Sequence, residues 1–252
     1  MTPASGIVFP FLRETHYLLG ELKAFEADLH EKRLNNPALS NELRARITGS
    51  PGWIALRKKE LIPLIYYGNL KGISDSVRFL ITRLGHQADI QLNHPDKTEN
   101  LQMTTAYPEW PFKDAREKKG GRRKLHTGGD RHRYEMEILN RMGEVGLGEL
   151  QEQNDAFFQR RRMVSNAELE EAHFNGLSKA LKSKFSKRYS EDLVLVVHAV
   201  GYESLSDERF HTIAHRARSE LKTLSDISPD GCRSGIGRLS ILDRERLVEF
   251  VL

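Results

Sequence analysis

The sequence predicts a mixed α/β fold, a small central mixed sheet flanked by helices, and three stretches carry that prediction. Residues 88–92 (Ala-Asp-Ile-Gln-Leu) alternate apolar and polar side chains with period two, as a half-buried strand does. Leu101, Met103 and Thr105 repeat the pattern a short turn later. Residues 193–200 are almost continuously apolar and β-branched, the mark of a strand buried on both faces.

The remaining elements follow in order. Residues 11–34 read as a helix with Leu18, Leu19, Leu22, Phe25 and Leu29 on one stripe, ended by Asn35-Asn36-Pro37. A short helix fits 38–47. After the turn at Ser50-Pro51-Gly52, a further helix carries Trp53, Leu56, Leu61, Leu64 and Ile65, interrupted or kinked at Pro63. Ser74 caps a predicted helix with Val77, Leu80, Ile81 and Leu84 at helical spacing, closed by Gly85. The turn chemistry of 93–100 then joins the first two strands as a hairpin or close pair. Helical stretches fit 131–142, 149–163 and 166–189, and Ser206 caps another helix to about Leu224. A last strand covers 238–242, before a short amphipathic tail. The chain thus divides into an N-terminal helical segment, 1–72, and an α/β core, 73–252, with a basic and helical insertion at about 108–165.

Composition narrows the class. Hydrophobic residues make up 38% and charged residues 29% of the 252, which suits one folded domain with long solvated helices. The longest apolar run is far short of the roughly 20 residues that span a bilayer, so no membrane partner is expected. The N-terminus lacks the features of a secretory leader. The single cysteine, Cys232, has no internal disulfide partner, and together these features point to a cytoplasmic protein. Net charge is only +4, yet it is unevenly spread: residues 113–133 carry nine Lys/Arg against three Asp/Glu, and 179–188 carry five bases and no acid. Segregated positive charge of this kind attracts a polyanion, and Arg122, Arg123, Lys124, Arg131 and Arg133 are the expected nucleic-acid contacts. A solubilising loop is the competing explanation.

A resemblance becomes specific at Gly85-His86-Gln87-Ala88-Asp89 and Asn100-Leu101-Gln102-Met103-Thr104. A helix, adjacent strands, then helix and strand, with these residues on the strands, resembles the restriction-endonuclease-like core of the PD-(D/E)XK nuclease superfamily. The topological likeness spans about residues 73–242. In that family an Asp near the start of one strand holds a divalent metal, and an acid-x-Lys tripeptide on the next adds a ligand and a lysine. Asp89 resembles the first Asp, and Gln102 the acidic position. Thr104 stands where the lysine would be. The resemblance implies magnesium or manganese held by Asp89, Gln102 and the backbone carbonyl of Met103. It leaves Lys184 as a migrated lysine and Glu60 as a replacement carboxylate. The implied chemistry is metal-dependent cleavage of DNA.

Two other classes stand beside that one. The chain is a catalytically silent relative that binds nucleic acid, or acts as a complex-forming subunit or homo-oligomer; or it is a structural or regulatory α/β protein. His211 and His215, four apart on a predicted helix, lack the glutamate of a metalloprotease motif, and the glycines from Gly231 to Gly237 lack the Lys-Ser/Thr of a phosphate-binding loop.

Overall fold

A computed structural model describes residues 7–44, 52–109, 166–187, 189, 192–225 and 235–252. The predicted helices at 131–142 and 149–163, the basic segment 113–133 and Cys232 lie outside them. The chain divides into two compact units: Met1–Ala106 with Ala180–Ala199 and Leu221–Leu252, and Tyr107–Lys179 with Val200–Glu220.

The first unit is built on one open seven-stranded sheet, in which spatial order follows chain order. Its strands are β1 (His16–Leu18), β2 (Arg78–Ile81), β3 (Ile90–Asn93), β4 (Thr98–Ala106), β5 (Leu193–Ala199), β6 (Ile236–Leu242) and β7 (Leu247–Val251). The pairs β4–β5 and β5–β6 are parallel, and the remaining neighbours are antiparallel. The mixed α/β class therefore holds. All seven residues of β5 are buried, which is why its sequence is apolar without alternation. On β3, Ile90 and Leu92 face the core while Gln91 and Asn93 do not, the period-two pattern read from the sequence.

One face of the sheet is covered by α1 (Leu19–Asn35), by α3 (Gly52–Leu56) and by α4 (Ile62–Leu70). A short α2 (Pro37–Arg44) follows α1. Leu19, Leu22, Leu61, Leu64 and Tyr67 pack on Phe79, Ile90, Leu101, Met103 and Val196 in one apolar cluster. Between α3 and α4 lies a π turn, Arg57–Leu61, in which the Ile62 N–H reaches back to the Arg57 carbonyl. Pro63 cannot donate to the helical ladder and its ring crowds the preceding turn; the widened turn absorbs that defect instead of a sharp kink.

Three expectations change. Residues 78–81 form β2, not a helix: Val77 just before it, Phe79 and Ile81 are buried and alternate with exposed Arg78 and half-buried Leu80. A helical stripe leaves out Phe79, which is fully buried. Ser74 accepts the Val77 N–H through its carbonyl and so closes a turn leading into the strand. The predicted helix 11–34 begins only at Leu19, because His16–Leu18 pairs with Arg78–Leu80 and Tyr17 stacks near Phe11 and Phe79. The C-terminal tail is β7, antiparallel to β6. The N-terminal residues thus contribute a strand to the sheet as well as helices.

His198 on β5 is buried beside the Tyr66 ring, whose centroid lies 5.2 Å away. Burial disfavours its imidazolium and Arg244 opposes it further, while Asp243 favours it; together they bring His198 down to about 4 from 6.5. The unfolded chain takes up that proton at higher pH than the folded one. Stability from this group is therefore complete above 6.5 and is lost as pH falls toward about 4. The loss approaches about 1.4 kcal/mol per pH unit. Urea unfolding across this range should show that decline in the parent and a flatter one in His198→Leu. Equal slopes would remove His198 as the cause.

The second unit contains the start of α5 (Asn166–Phe185) and most of α6 (Asp207–Ser225). Gly176 lets α5 approach the chain at Tyr107 and Pro108: a Cβ there would run into the Tyr107 carbonyl oxygen. Tyr202 donates its hydroxyl to the His173 carbonyl, and Arg216 lies 3.6 Å over the Phe174 ring. Among the described residues no helix is long and apolar enough to cross a membrane.

Candidate active site

Asp89, Gln102 and Met103, nominated from the sequence, meet at the start of β3, and Glu60 and Lys184 belong to the same unit. Asp89 immediately precedes the strand. Its N–H donates to the Leu101 carbonyl at 2.8 Å, and its own carbonyl accepts the Thr82 N–H at 3.0 Å. The antiparallel register pairing Ile90 with Leu101 brings Asp89 beside Gln102 and Met103, although 13 residues separate Asp89 from Gln102. Asp89 Oδ2 accepts two hydrogen bonds, one from the Gln102 amide nitrogen and one from the Met103 N–H at 2.7 Å.

Those contacts give Gln102 and Met103 a further part in holding Asp89. Gln102, only 6% exposed, presents its nitrogen to Asp89 and so holds the carboxylate in place. Met103 presents its N–H to the same oxygen. The second carboxylate of the site comes from the π turn: Glu60, whose side chain is 13% exposed, accepts a hydrogen bond from Arg13 on Oε1 at 2.8 Å. Its Oε2 is buried and has no hydrogen-bond partner among the described residues. Arg13 also donates to the Thr82 carbonyl at 2.8 Å, which ties Glu60 to the loop that positions Asp89. Arg13 was hidden inside the predicted helix, and nothing local in the sequence distinguishes it.

Lys184 lies in the last turn of α5, next to the buried Leu181. Its charge is felt by both carboxylates. Burial raises the Asp89 carboxyl above its ordinary range, while Lys184, the Met103 N–H, Arg13 and Gln102 pull the other way. Burial also raises Glu60; its hydrogen bond from Arg13 opposes the rise, and the Asp89 charge adds to it. Lys184 is lowered by burial, with Asp89 and Glu60 favouring its charge and Lys187 and Lys59 disfavouring it. Lys59 and Lys187, both exposed, add positive charge near Lys184.

Among the described residues, no three His, Cys, Asp or Glu side chains gather as a metal centre. His211 and His215 are both exposed on α6. Arg122, Arg123, Lys124, Arg131 and Arg133 lie outside the described residues. Comparison with known protein families, with curated proteins and with solved structures returns no match to this chain.

Proposed function

We propose that this chain is a metal-dependent phosphodiesterase acting on DNA in the cytoplasm, a diverged relative of the PD-(D/E)XK nucleases. The observation that carries the reading is the joint burial of Asp89 and Glu60 with Lys184 near enough to favour both charges. Two acids and a lysine half-withdrawn from water cost stability, and such arrangements concentrate where chemistry is done. The order of a helical segment, β2, β3, β4, α5 and β5 supports the same reading, because it follows the family's core.

The donor set suits a hard divalent cation. Magnesium takes oxygen ligands and is commonly held by one or two carboxylates plus substrate phosphate. Glu60 Oε2 is a buried oxygen lacking any hydrogen bond among the described residues, and Asp89 uses only Oδ2 in the bonds from Gln102 and Met103. Asp89, Glu60 and the Met103 carbonyl would hold magnesium or manganese. When bound, such a cation acidifies an attacking water and offsets charge on the reacting phosphate.

The chain's own residues do the rest. Gln102 and the Met103 N–H fix the Asp89 carboxylate, and Arg13 fixes Glu60, so neither acid has to be ordered when substrate arrives. Lys184 donates to the phosphate oxygen on which charge develops. Lys59 and Lys187, exposed beside it, attract the flanking backbone. Incubating the parent with plasmid and linear duplex, in magnesium and separately in manganese, tests the reading. Lys184→Ala should then cleave about a hundredfold more slowly with an unchanged melting temperature. A parent that cleaves neither substrate with either ion sinks the proposal, and binding without cleavage would place the chain among silent relatives.

A further inference from the structure

The loop that carries Asp89 is tied at its neck and open at its tip. Thr82 donates its N–H to the Asp89 carbonyl at 3.0 Å and its hydroxyl to the Ala88 carbonyl, so residues 82–89 close on themselves. At the tip the His86 N–H reaches the Arg83 carbonyl at 3.2 Å, and Gly85 has a φ of +84°. This is a type II turn with Leu84 at its first central position and the glycine it requires at the second. The Ala88 N–H donates to the His86 ring at 3.2 Å, which fixes the returning limb. The tip stands clear of the described residues: a Cβ on Gly85 would meet no heavy atom within 4 Å.

Leu84 is 81% exposed on this turn. It stands two positions after Thr82, so at most about 7 Å separates its Cα from that of the residue bonded to Asp89. A lone exposed leucine is ordinary. This one is held on a hydrogen-bonded turn at the rim of the acid-bearing loop, so little backbone freedom is lost when it docks. Leu12 is a second exposed leucine close by, because Arg13 donates to the Thr82 carbonyl and the Glu14 N–H to the Ile81 carbonyl at 2.7 Å. Their charged neighbours differ. Exposed Arg83 precedes Leu84, whereas beside Leu12 the arginine is engaged by Glu60 and the exposed charge is the acid Glu14. A duplex, with phosphates outside and apolar base faces within, suits the turn. Leucine is one of the wedges that part base steps from the minor groove, and a neighbouring arginine meets the backbone.

We propose that the turn Arg83–His86 is a DNA contact, with Leu84 entering between base steps of a duplex and Arg83 holding the flanking phosphate. The inference rests on the phosphodiesterase reading for the choice of DNA, but it is tested by binding. Short duplexes carrying 2-aminopurine, which brightens when its base is unstacked, are titrated in calcium into the parent, Leu84→Ala, Leu84→Met and Leu12→Ala. The same proteins are melted without DNA, sized in solution, and assayed for cleavage in magnesium and manganese. Leu84→Ala should bind about tenfold more weakly, lose the brightening and melt at the parent's temperature, since its side chain is largely in water. Leu84→Met should restore both signals, and Leu12→Ala should behave as the parent. Parent-like binding and brightening in Leu84→Ala overturn the contact, even where the parent cleaves and the phosphodiesterase reading stands. An equal loss in Leu12→Ala, or no restoration by methionine, also overturns it. So does a parent that self-associates through Leu84 while Leu84→Ala binds duplex normally, which marks a protein interface. If the parent binds duplex but never cleaves it, and Leu84→Ala still weakens binding and dims the signal, the contact stands and the phosphodiesterase reading falls. A parent that binds no duplex overturns both.

Discussion

Asp89→Asn is expected to reduce cleavage by at least about a thousandfold, or roughly 4 kcal/mol of transition-state stabilisation. It should do so in a protein more stable than the parent. The two effects share one cause. The Asp89 carboxyl is raised chiefly by burial, which means that ionising it in the folded chain is costly. Asparagine keeps a carbonyl that can accept the Met103 N–H and has the same shape, so the backbone at the start of β3 has no reason to move. The buried charge disappears, along with its repulsion of Glu60, and a gain of about 1 kcal/mol is of the size seen when strained functional groups are neutralised. Affinity for DNA should be unchanged or tighter, because a negative charge facing phosphate has gone. Glu60→Gln should lose cleavage by a similar factor with less gain in stability, since Arg13 then loses a charged partner. Gel-based cleavage, duplex titration and thermal melting on the same preparations check all three. Parent-like cleavage by Asp89→Asn would remove this carboxylate from the chemistry.

The parts of the fold that were legible in the sequence are those whose environment is simple. β5 is buried on both faces and reads as an apolar run, and β3 is buried on one and alternates; β4 instead buries Leu101, Gln102 and Met103 in succession. β2 was not legible, because Val77, Leu80, Ile81 and Leu84 fit a helical stripe and only the burial of Phe79 breaks the tie. β1 is three residues long and takes its extended form from pairing with β2, some sixty residues away. The site divides in the same manner. Asp89 and Gln102 lie on one hairpin, so spacing and family likeness reached them. Glu60 and Lys184 were nominated only as substitutes for missing charges, and each influences the other's titration and that of Asp89. Gln102 was nominated for its carbonyl, and the bond from its amide nitrogen to Asp89 is one that no sequence pattern encodes. Arg13 could not be found at all: it acts on Glu60, 47 positions away, and on Thr82, 69 positions away.

β7 was missed for a different reason, and it yields the largest expected loss of stability. A hairpin is usually announced by Gly, Asn or Pro at its turn, whereas β6 and β7 are joined through Asp243-Arg244-Glu245-Arg246. The turn is held by a buried carboxylate in place of a special backbone. Asp243 is 1% exposed; its Oδ1 accepts the Glu245 N–H at 2.9 Å and the Arg246 N–H at 2.8 Å, and its Oδ2 accepts two bonds from the Arg246 guanidinium. The Asp243 N–H closes the loop onto the Arg246 carbonyl at 3.0 Å. Asp243→Ala would leave two turn N–H groups unanswered and strip a charged partner from a mostly buried arginine, a class of change that costs about 3–5 kcal/mol. Asp243→Asn should cost less, since one amide oxygen can still accept the two N–H groups while the charge is lost. The expected order of stability is therefore parent, Asp243→Asn, Asp243→Ala, measured by urea unfolding at pH 7. Amide exchange should show the loss first in β7, which among the described residues has only β6 as a strand neighbour and whose Glu249 is tethered to Lys71 and Ser240. An Asp243→Ala protein within about 1 kcal/mol of the parent would mean that strand pairing holds the turn without the carboxylate.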